Sequence, residues 1–279
     1  MPIPVDIPSD RFVTLDGVRF HYLDWGGDED PLLLLAGLGC TAHVFAELAP
    51  HLTDRFRVLA LTRRGHGLTD QVQSGHAFAD AAEDAQRLLD ALGIERAHVV
   101  GHSMGGGEVS ALAARHPGRV ARVVYLDGAY DWAARPTPEG SEEAASPDRF
   151  ASYEDYVDFV RSVLPEDIWG PALDAMLRTS VDTHADGSVV DKLSHAVFAP
   201  FVQALNTFRH AYSDITAPAL AIYAVGDQWQ GADATWRVAC RDRFAAETAN
   251  GQVIEIRASH YLFLDRRDEV LAAMREFLT

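Results

Sequence analysis

The stretch Gly101-His102-Ser103-Met104-Gly105 decides the fold of this 279-residue chain. An apolar run, Ala97–Gly101, leads into it, and a helical pattern near 104–116 follows it. A serine with a glycine two residues to either side, where a strand passes into a helix, predicts a sharp turn called a nucleophile elbow, because a Cβ at either glycine would strike the neighbouring strand or helix. The alternative is a glycine-rich turn whose serine only caps the helix.

The alternation of strand and helix extends along most of the chain. Asp16-Gly17, between the apolar runs 12–15 and 18–23, is typical of a hairpin turn and predicts an antiparallel pair of strands at the start. The βαβα order that follows predicts an α/β fold with a doubly wound, mostly parallel sheet. Runs that are apolar on both faces, as covered parallel strands are, occur at Leu32–Ala36, Arg57–Leu61, Ala97–Gly101, Val120–Leu126, Ala219–Val225 and Val253–Ile256. Helical patterns lie near 42–50, 78–92, 104–116, 232–247 and 268–278.

The alternation stops between Leu126 and Ala219, where no convincing strand is found. A polar, proline-containing loop begins near Arg135, and amphipathic helical patterns follow near 152–164, 166–179 and 192–211. We therefore expect residues 131–211 to form a helical cap over the C-terminal edge of the sheet. Residues 1–130 and 212–279 would then form the core domain.

Composition excludes several classes of function. The 24 basic and 41 acidic side chains give a net charge of −17, which repels nucleic acid and anionic membranes. Cys40 and Cys240 are too few for a disulfide framework, and Lys192, the only lysine, follows no phosphate-binding turn. The sequence contains neither an H-E-x-x-H nor an H-x-H motif, either of which would indicate a metal site. With neither a signal-peptide pattern nor a long apolar run, we expect a soluble, cytoplasmic protein without a metal.

A serine hydroxyl at the elbow needs a base, and that base needs an acid to orient it. His260 follows the last predicted strand and so emerges at the same sheet edge as Ser103, where open α/β sheets build their sites. Two aspartates follow strands at this edge. Asp227, after the strand Ala219–Val225, is favoured because the chain order Ser, Asp, His usually draws the acid from the strand after the insert. Asp127, after Val120–Leu126, is the alternative.

Two backbone N–H groups are expected to face the developing oxyanion. Met104 supplies one directly after Ser103, and Leu38, in the glycine turn after the strand Leu32–Ala36, is the candidate for the other. Residues 37–42 also fit the dinucleotide fingerprint G-x-G-x-x-A. That interpretation fails because no carboxylate ends the next strand, near residues 60–62.

With these residues in place, the whole chain resembles the α/β-hydrolase superfamily. Besides Gly101–Gly105, the resemblance is carried by His21–Gly26, Arg64–Asp70, Val225-Gly226-Asp227 and Ser259-His260. It implies an α/β-hydrolase fold, with a mostly parallel eight-stranded sheet, helices on both faces, a helical cap after strand six and no cofactor. It also implies Ser103 as nucleophile, Asp227 as acid, His260 as base, and Leu38 with Met104 as oxyanion donors. One departure is Ala36, where the family's glycine loop usually begins with histidine.

The resemblance, with serine as the nucleophile, indicates a serine hydrolase for small, neutral, largely apolar carboxylic esters or lactones. Relatives that cleave haloalkanes or epoxides carry aspartate at the position of Ser103. Residues 131–210 hold 14 acidic and 6 basic side chains, which disfavours anionic substrates. Hydrolysis of a carbon–carbon bond or acyl transfer with the same triad is the alternative, and a ligand sensor that retains the triad is a third. The sequence fixes neither the natural substrate nor the oligomeric state.

Overall fold

The computed structural model describes residues 7–27, 29–136, 147–193 and 195–279. The core is one sheet of eight strands in the order β1-β2-β4-β3-β5-β6-β10-β11. β1 pairs with β2, and β2 with β4, in antiparallel fashion, and every other neighbouring pair is parallel. The predicted mostly parallel eight-stranded sheet is confirmed. The strands of the sheet are β1 (Arg11–Leu15), β2 (Val18–Gly26), β3 (Asp30–Leu35), β4 (Phe56–Leu61), β5 (Ala97–His102), β6 (Val120–Leu126), β10 (Ala219–Val225) and β11 (Gly251–Arg257).

The turn between β1 and β2 has both central residues in the left-handed region, with φ of 47° at Asp16 and 82° at Gly17. Such a turn matches the twist of an antiparallel pair, as the Asp-Gly dipeptide predicted. Along β3, Leu32 and Leu34 pack into one hydrophobic cluster, whereas Leu33 and Leu35 pack into another. Since successive side chains of a strand point to opposite faces, the sheet is covered on both sides.

Helices cover both faces of the sheet, and their bounds are α1 (Phe78–Ala91), α2 (Met104–Arg115), α3 (Tyr153–Val163), α4 (Pro171–Thr179), α5 (His195–Thr207), α6 (Gly231–Glu247), α7 (Leu262–Asp265) and α8 (Arg267–Leu278). The helix expected near 42–50 is wrong. That segment forms two short 3₁₀ turns, Ala42–Phe45 and Ala49–Leu52. Pro50, in the first turn of the second, has no N–H with which to continue a helix from the first.

Three helices, α3, α4 and α5, lie between β6 and β10, where the cap was expected. They are accompanied by a small sheet in the order β7-β9-β8, formed by Arg149–Phe150 (β7), Val181–Thr183 (β8) and Val189–Asp191 (β9). The expectation that this segment lacks strands is therefore wrong. Strands of two or three residues are too short to show alternation in the sequence. The exact division into cap and core at residues 131 and 211 stays a prediction.

Within the described ranges, no helix combines the length and the apolar character that crossing a bilayer requires.

Candidate active site

Ser103 lies at a strained turn between β5 and α2, with φ of 52° and ψ of −121°. A Cβ on Gly101 would lie 2.3 Å from the carbonyl oxygen of Gly105, and one on Gly105 would lie 2.2 Å from that of Leu35. Both glycines are thus required by close backbone contacts. The Ser103 side chain makes no capping hydrogen bond to α2, and the residue is partly exposed. The geometry is that of an elbow and not of a helix cap.

His260 follows β11 and meets Asp127, which directly follows β6. His260 Nδ1 donates to Asp127 Oδ2 over 2.6 Å. The His260 side chain is 26% exposed, whereas the Asp127 side chain is fully buried. His102 Nε2 donates to the backbone oxygen of His260 over 3.0 Å. Because His102 precedes Ser103, this bond ties the His260 turn to the elbow.

The preferred acid, Asp227, is wrong as the partner of His260. Its side chain is 85% exposed and pairs with the guanidinium of Arg257. In the turn after β10, Gln228 Nε2 donates to the Ala258 oxygen, which follows the neighbouring strand β11, over 2.7 Å. The alternative, Asp127, is the partner of His260. It follows β6, which lies between β5 and β10 and therefore next to the strand that ends at the elbow.

Asp127 is held ionised inside the protein. Oδ1 accepts from the Tyr130 hydroxyl at 2.5 Å, from the Ala224 amide at 2.9 Å and from Arg237 Nη2 at 2.8 Å. Oδ2 accepts from His260 and, at 3.0 Å, from Arg237 Nη2. Burial alone would raise the pKa of this carboxyl, but the bond and charge of His260, the charge of Arg237 and the Tyr130 hydroxyl outweigh it and lower the pKa to about 2.

The glycine turn after β3 lies against the elbow. A Cβ on Gly37 would lie 3.1 Å from the Cβ of Ser103, so Leu38 is the residue directly after the point of contact. Cys40 N–H donates to the Gly37 oxygen over 3.1 Å, which closes the turn. Met104 is the first residue of α2, and the N–H group at that position has no partner within a helix. Both expected oxyanion donors are therefore near Ser103.

A buried ion pair braces this turn, and sequence reasoning did not predict it. Arg63 Nη2 donates to the Ala36 oxygen over 2.6 Å and Nη1 to the Gly37 oxygen over 3.1 Å, while its Nε pairs with Glu108 on α2. His66 Nε2 accepts from Gly39 N–H over 3.2 Å. The support that a histidine at position 36 would give thus comes from the turn after β4. A glutamate on the otherwise small and apolar face of α2 was the available signal.

His66 and His102 are structural in this arrangement. Burial first, and then neighbouring positive groups, lower the pKa of each imidazole to about 3, so both are neutral. His66 Nδ1 donates to the Arg64 oxygen over 3.1 Å, which leaves Nε2 as the acceptor for Gly39. These bonds show His66 supporting the glycine turn at Gly39.

An open cavity of about 590 Å³ borders His260. Its apolar lining includes Val163, Leu164 and Pro165, from the segment between β6 and β10, together with Trp229 and Tyr261. Polar and charged side chains complete the lining: Asp167, Gln228, Arg257, Ser259, Asp265 and Arg266. The cavity therefore offers the imidazole both apolar and charged surroundings.

One group of described residues has the donor set of a metal site: Asp10, His21 and His43, whose ligand atoms lie within 4.8 Å of one another. His21 Nε2 and His43 Nε2 lie 2.9 and 3.2 Å from Asp10 Oδ1, so both can donate to it. The two rings are stacked at an interplanar angle of 4°, and the Nδ1 atoms of His21 and His43 lie 2.8 and 3.2 Å from the hydroxyls of Thr62 and Thr41. The group is arranged as a hydrogen-bond cluster.

Comparison with known proteins agrees with this geometry. Residues 30–232 match the family model described as alpha/beta hydrolase fold. A putative non-heme haloperoxidase from Mycobacterium phage D29 is 43% identical over 121 residues, which cover 43% of either chain. A bifunctional esterase/perhydrolase from Acinetobacter calcoaceticus is 39% identical over 116 residues, 40% of this chain and 42% of the relative. The chain matches less than half the length of these relatives.

Solved structures extend the likeness of the fold over the full chain. E-2-(acetamidomethylene)succinate hydrolase superposes with a TM-score of 0.79 at 24% identity, covering 97% of this chain and 98% of that one. The enol-lactonase from Burkholderia xenovorans LB400 superposes with a TM-score of 0.66 at 24% identity, covering 96% and 99%. The match to the family model, together with the eight-stranded sheet and the serine elbow, shows that this chain belongs to the α/β-hydrolase fold family.

Proposed function

We propose that this protein is a serine hydrolase of small, neutral carboxylic esters or lactones, with Ser103 as nucleophile, His260 as base and Asp127 as acid. The observation that carries the proposal is the 2.6 Å hydrogen bond from His260 Nδ1 to the buried Asp127 carboxylate. That bond fixes the proton on Nδ1 and leaves Nε2 as the proton acceptor. Ser103, at the exposed tip of the neighbouring turn, is the hydroxyl that this acceptor would serve.

The reaction proceeds in two acyl transfers. Ser103 Oγ attacks the carbonyl carbon while His260 Nε2 takes the hydroxyl proton, and the resulting oxyanion accepts hydrogen bonds from the N–H groups of Leu38 and Met104. The tetrahedral intermediate collapses, and the leaving alcohol takes the proton from His260. Water then attacks the acyl-enzyme with the same base and releases the acid. In a lactone, the alcohol and the acid stay in one product.

The choice of substrate class rests on the surroundings of His260. The apolar side chains that line the cavity favour an apolar acyl or alcohol group. The excess of acidic side chains in residues 131–210 disfavours anions at the cavity. A bifunctional esterase/perhydrolase is among the similar sequences and an enol-lactonase among the similar structures, which agrees with an ester or lactone as the substrate.

The test is covalent labelling by a fluorophosphonate, followed by hydrolysis of ester and lactone series of increasing acyl length. Wild-type protein should label once, at Ser103 by peptide mass spectrometry, and should turn over neutral esters or lactones many times. Ser103→Ala should abolish labelling and lower kcat/KM by about 10³-fold or more. His260→Ala should lower the rate of labelling and kcat/KM by a similar factor.

Ser110→Ala is the matched control, because Ser110 also contacts a histidine. Its Oγ lies 2.7 Å from His210 Nδ1, but the pair is buried. Labelling at Ser103 should survive this change. Undiminished labelling of Ser103→Ala, or labelling without turnover of any ester or lactone, would contradict the proposal, and the second result would favour a ligand sensor.

A further inference from the structure

Arg237 is a buried cation that the triad itself does not require. It lies on α6, and only 7% of it is exposed. Its Nη2 donates to both oxygens of Asp127, at 2.8 and 3.0 Å, and to the Ala224 oxygen at 2.9 Å. The guanidinium carbon lies 3.7 Å from the Trp229 ring centroid and 4.5 Å from that of Tyr130. A charge so enclosed costs free energy unless a partner compensates it.

We propose that Arg237 is a positioning residue for the hydrolytic site, which keeps Asp127 ionised and aimed at His260 and thereby sets the acidic limb of the pH profile of the site. This inference rests on the proposed function. The triad acid must accept from His260 Nδ1 as a carboxylate, yet Asp127 is fully buried, and burial favours its neutral form. Arg237 supplies a permanent opposite charge that does not depend on the protonation of His260.

The same charge acts on the hydrogen-bonded pair of His260 and Asp127. Two contacts, of 3.0 and 2.6 Å, link Arg237 Nη2 through Asp127 Oδ2 to His260 Nδ1. An imidazolium would therefore form close to a guanidinium, and the two positive charges repel. Without Arg237, the pair formed by His260 and Asp127 would take up its proton at higher pH. The acidic limb of activity should then move upward by about one pH unit.

Other titratable groups around Asp127 and Arg237 do not interfere with this measurement. Burial raises the pKa of Tyr130, Tyr223 and Cys240 and lowers that of His102 to about 3, so these groups stay neutral from pH 5 to 8. Asp131 is a further charged neighbour, and it is paired with Arg209 and Arg243. On the cavity side of His260, burial raises the pKa of Tyr261, and Arg257, Asp265 and Arg266 line the same cavity. These groups are the same in every variant, so the difference between variants reports the effect of Arg237.

The experiment measures the rate constant for fluorophosphonate labelling of Ser103 between pH 4.5 and 9. Circular dichroism at each pH checks that a variant stays folded across the limb, so that a shifted midpoint does not come from acid unfolding. In Arg237→Met the midpoint of the acidic limb should rise by about one pH unit, because the opposing charge is lost. Arg237→Lys retains the charge and should restore at least half of that shift. Arg241→Met, which removes an exposed arginine of the same helix that pairs with Glu255, should leave the midpoint unchanged.

The failure of this inference is distinguishable from failure of the proposed function. If wild-type Ser103 does not label, the proposed function is wrong. If Ser103 labels but the midpoints of Arg237→Met and wild type coincide, Arg237 is structural only, and the inference is overturned. An equal shift in Arg237→Lys and Arg237→Met also overturns it, because the charge would then not be the cause.

Discussion

Replacing Asp127 by asparagine should invert the hydrogen bond that orients His260. In the native protein Oδ1 faces three donors, from Tyr130, Ala224 and Arg237. An amide nitrogen at that position would face two groups that can only donate, the Ala224 N–H and Arg237, whereas at the Oδ2 position Arg237 alone is such a group. Each bond left unmade costs about 1–3 kcal/mol. The asparagine oxygen is therefore forced to that side, and its NH₂ group is forced to the side of His260.

This orientation makes the amide donate to His260 Nδ1, so the imidazole must carry its proton on Nε2. An imidazole in that tautomer cannot accept the proton of Ser103. The expected loss in kcat is about 10⁴-fold, equivalent to about 5 kcal/mol of transition-state stabilisation. Removing one partner of the buried pair with Arg237 also lowers the free energy of unfolding by about 3 kcal/mol.

The assay is hydrolysis of a neutral ester at a temperature where circular dichroism shows the variant folded. Asp227→Asn is the matched control, because it makes the same chemical change 100 residues later on an exposed side chain. It should retain kcat/KM within about twofold, since exposed pairs contribute little. Retention of activity within tenfold in Asp127→Asn, or a larger loss in Asp227→Asn, would refute the reasoning.

Three further predictions concern the elbow, its brace and the effect of acid. Gly105→Ala should abolish soluble expression or activity, because the new Cβ would lie 2.2 Å from the Leu35 oxygen. Gly118→Ala, with open space around its Cβ, should alter the melting temperature little by comparison. Arg63→Met should lower the free energy of unfolding in urea by about 3–5 kcal/mol, because Glu108 is left buried without a partner. A loss below 1 kcal/mol would show that the pair does not brace the turn. Finally, the melting temperature should fall as the pH drops below about 6.5, because several buried imidazoles have folded-state pKa values below their ordinary 6.5 and the unfolded chain therefore binds more protons. The pKa is lowered to about 4 in His21 and to about 3 in His66, His102 and His210. A flat melting temperature from pH 7 to 5 would contradict this.

The fold could be predicted from the sequence because its main signals are local. The pattern Gly101-x-Ser103-x-Gly105 describes close approaches within one turn and to the adjacent strand, where an added Cβ would lie 2.3 and 2.2 Å from a backbone oxygen. A strand that is apolar on both faces is recognised from the spacing of its apolar residues, and an Asp-Gly turn from the backbone conformation that these two residues favour. Both properties are set by residues adjacent in the chain. The small sheet of the cap escaped prediction because its strands have at most three residues.

The sequence by itself determined that a serine, a histidine and an aspartate emerge at one edge of a parallel sheet. Asp127 and Asp227 were equivalent in that respect, since each follows a strand at this edge. Only the tertiary structure decided between them, because Arg237, 110 positions after Asp127, encloses one carboxylate, while Arg257 holds the other in solvent. Which carboxylate reaches His260 depends on the lateral order of the strands and on a cation from a helix distant in the chain, and neither is a property of the residues beside the aspartate.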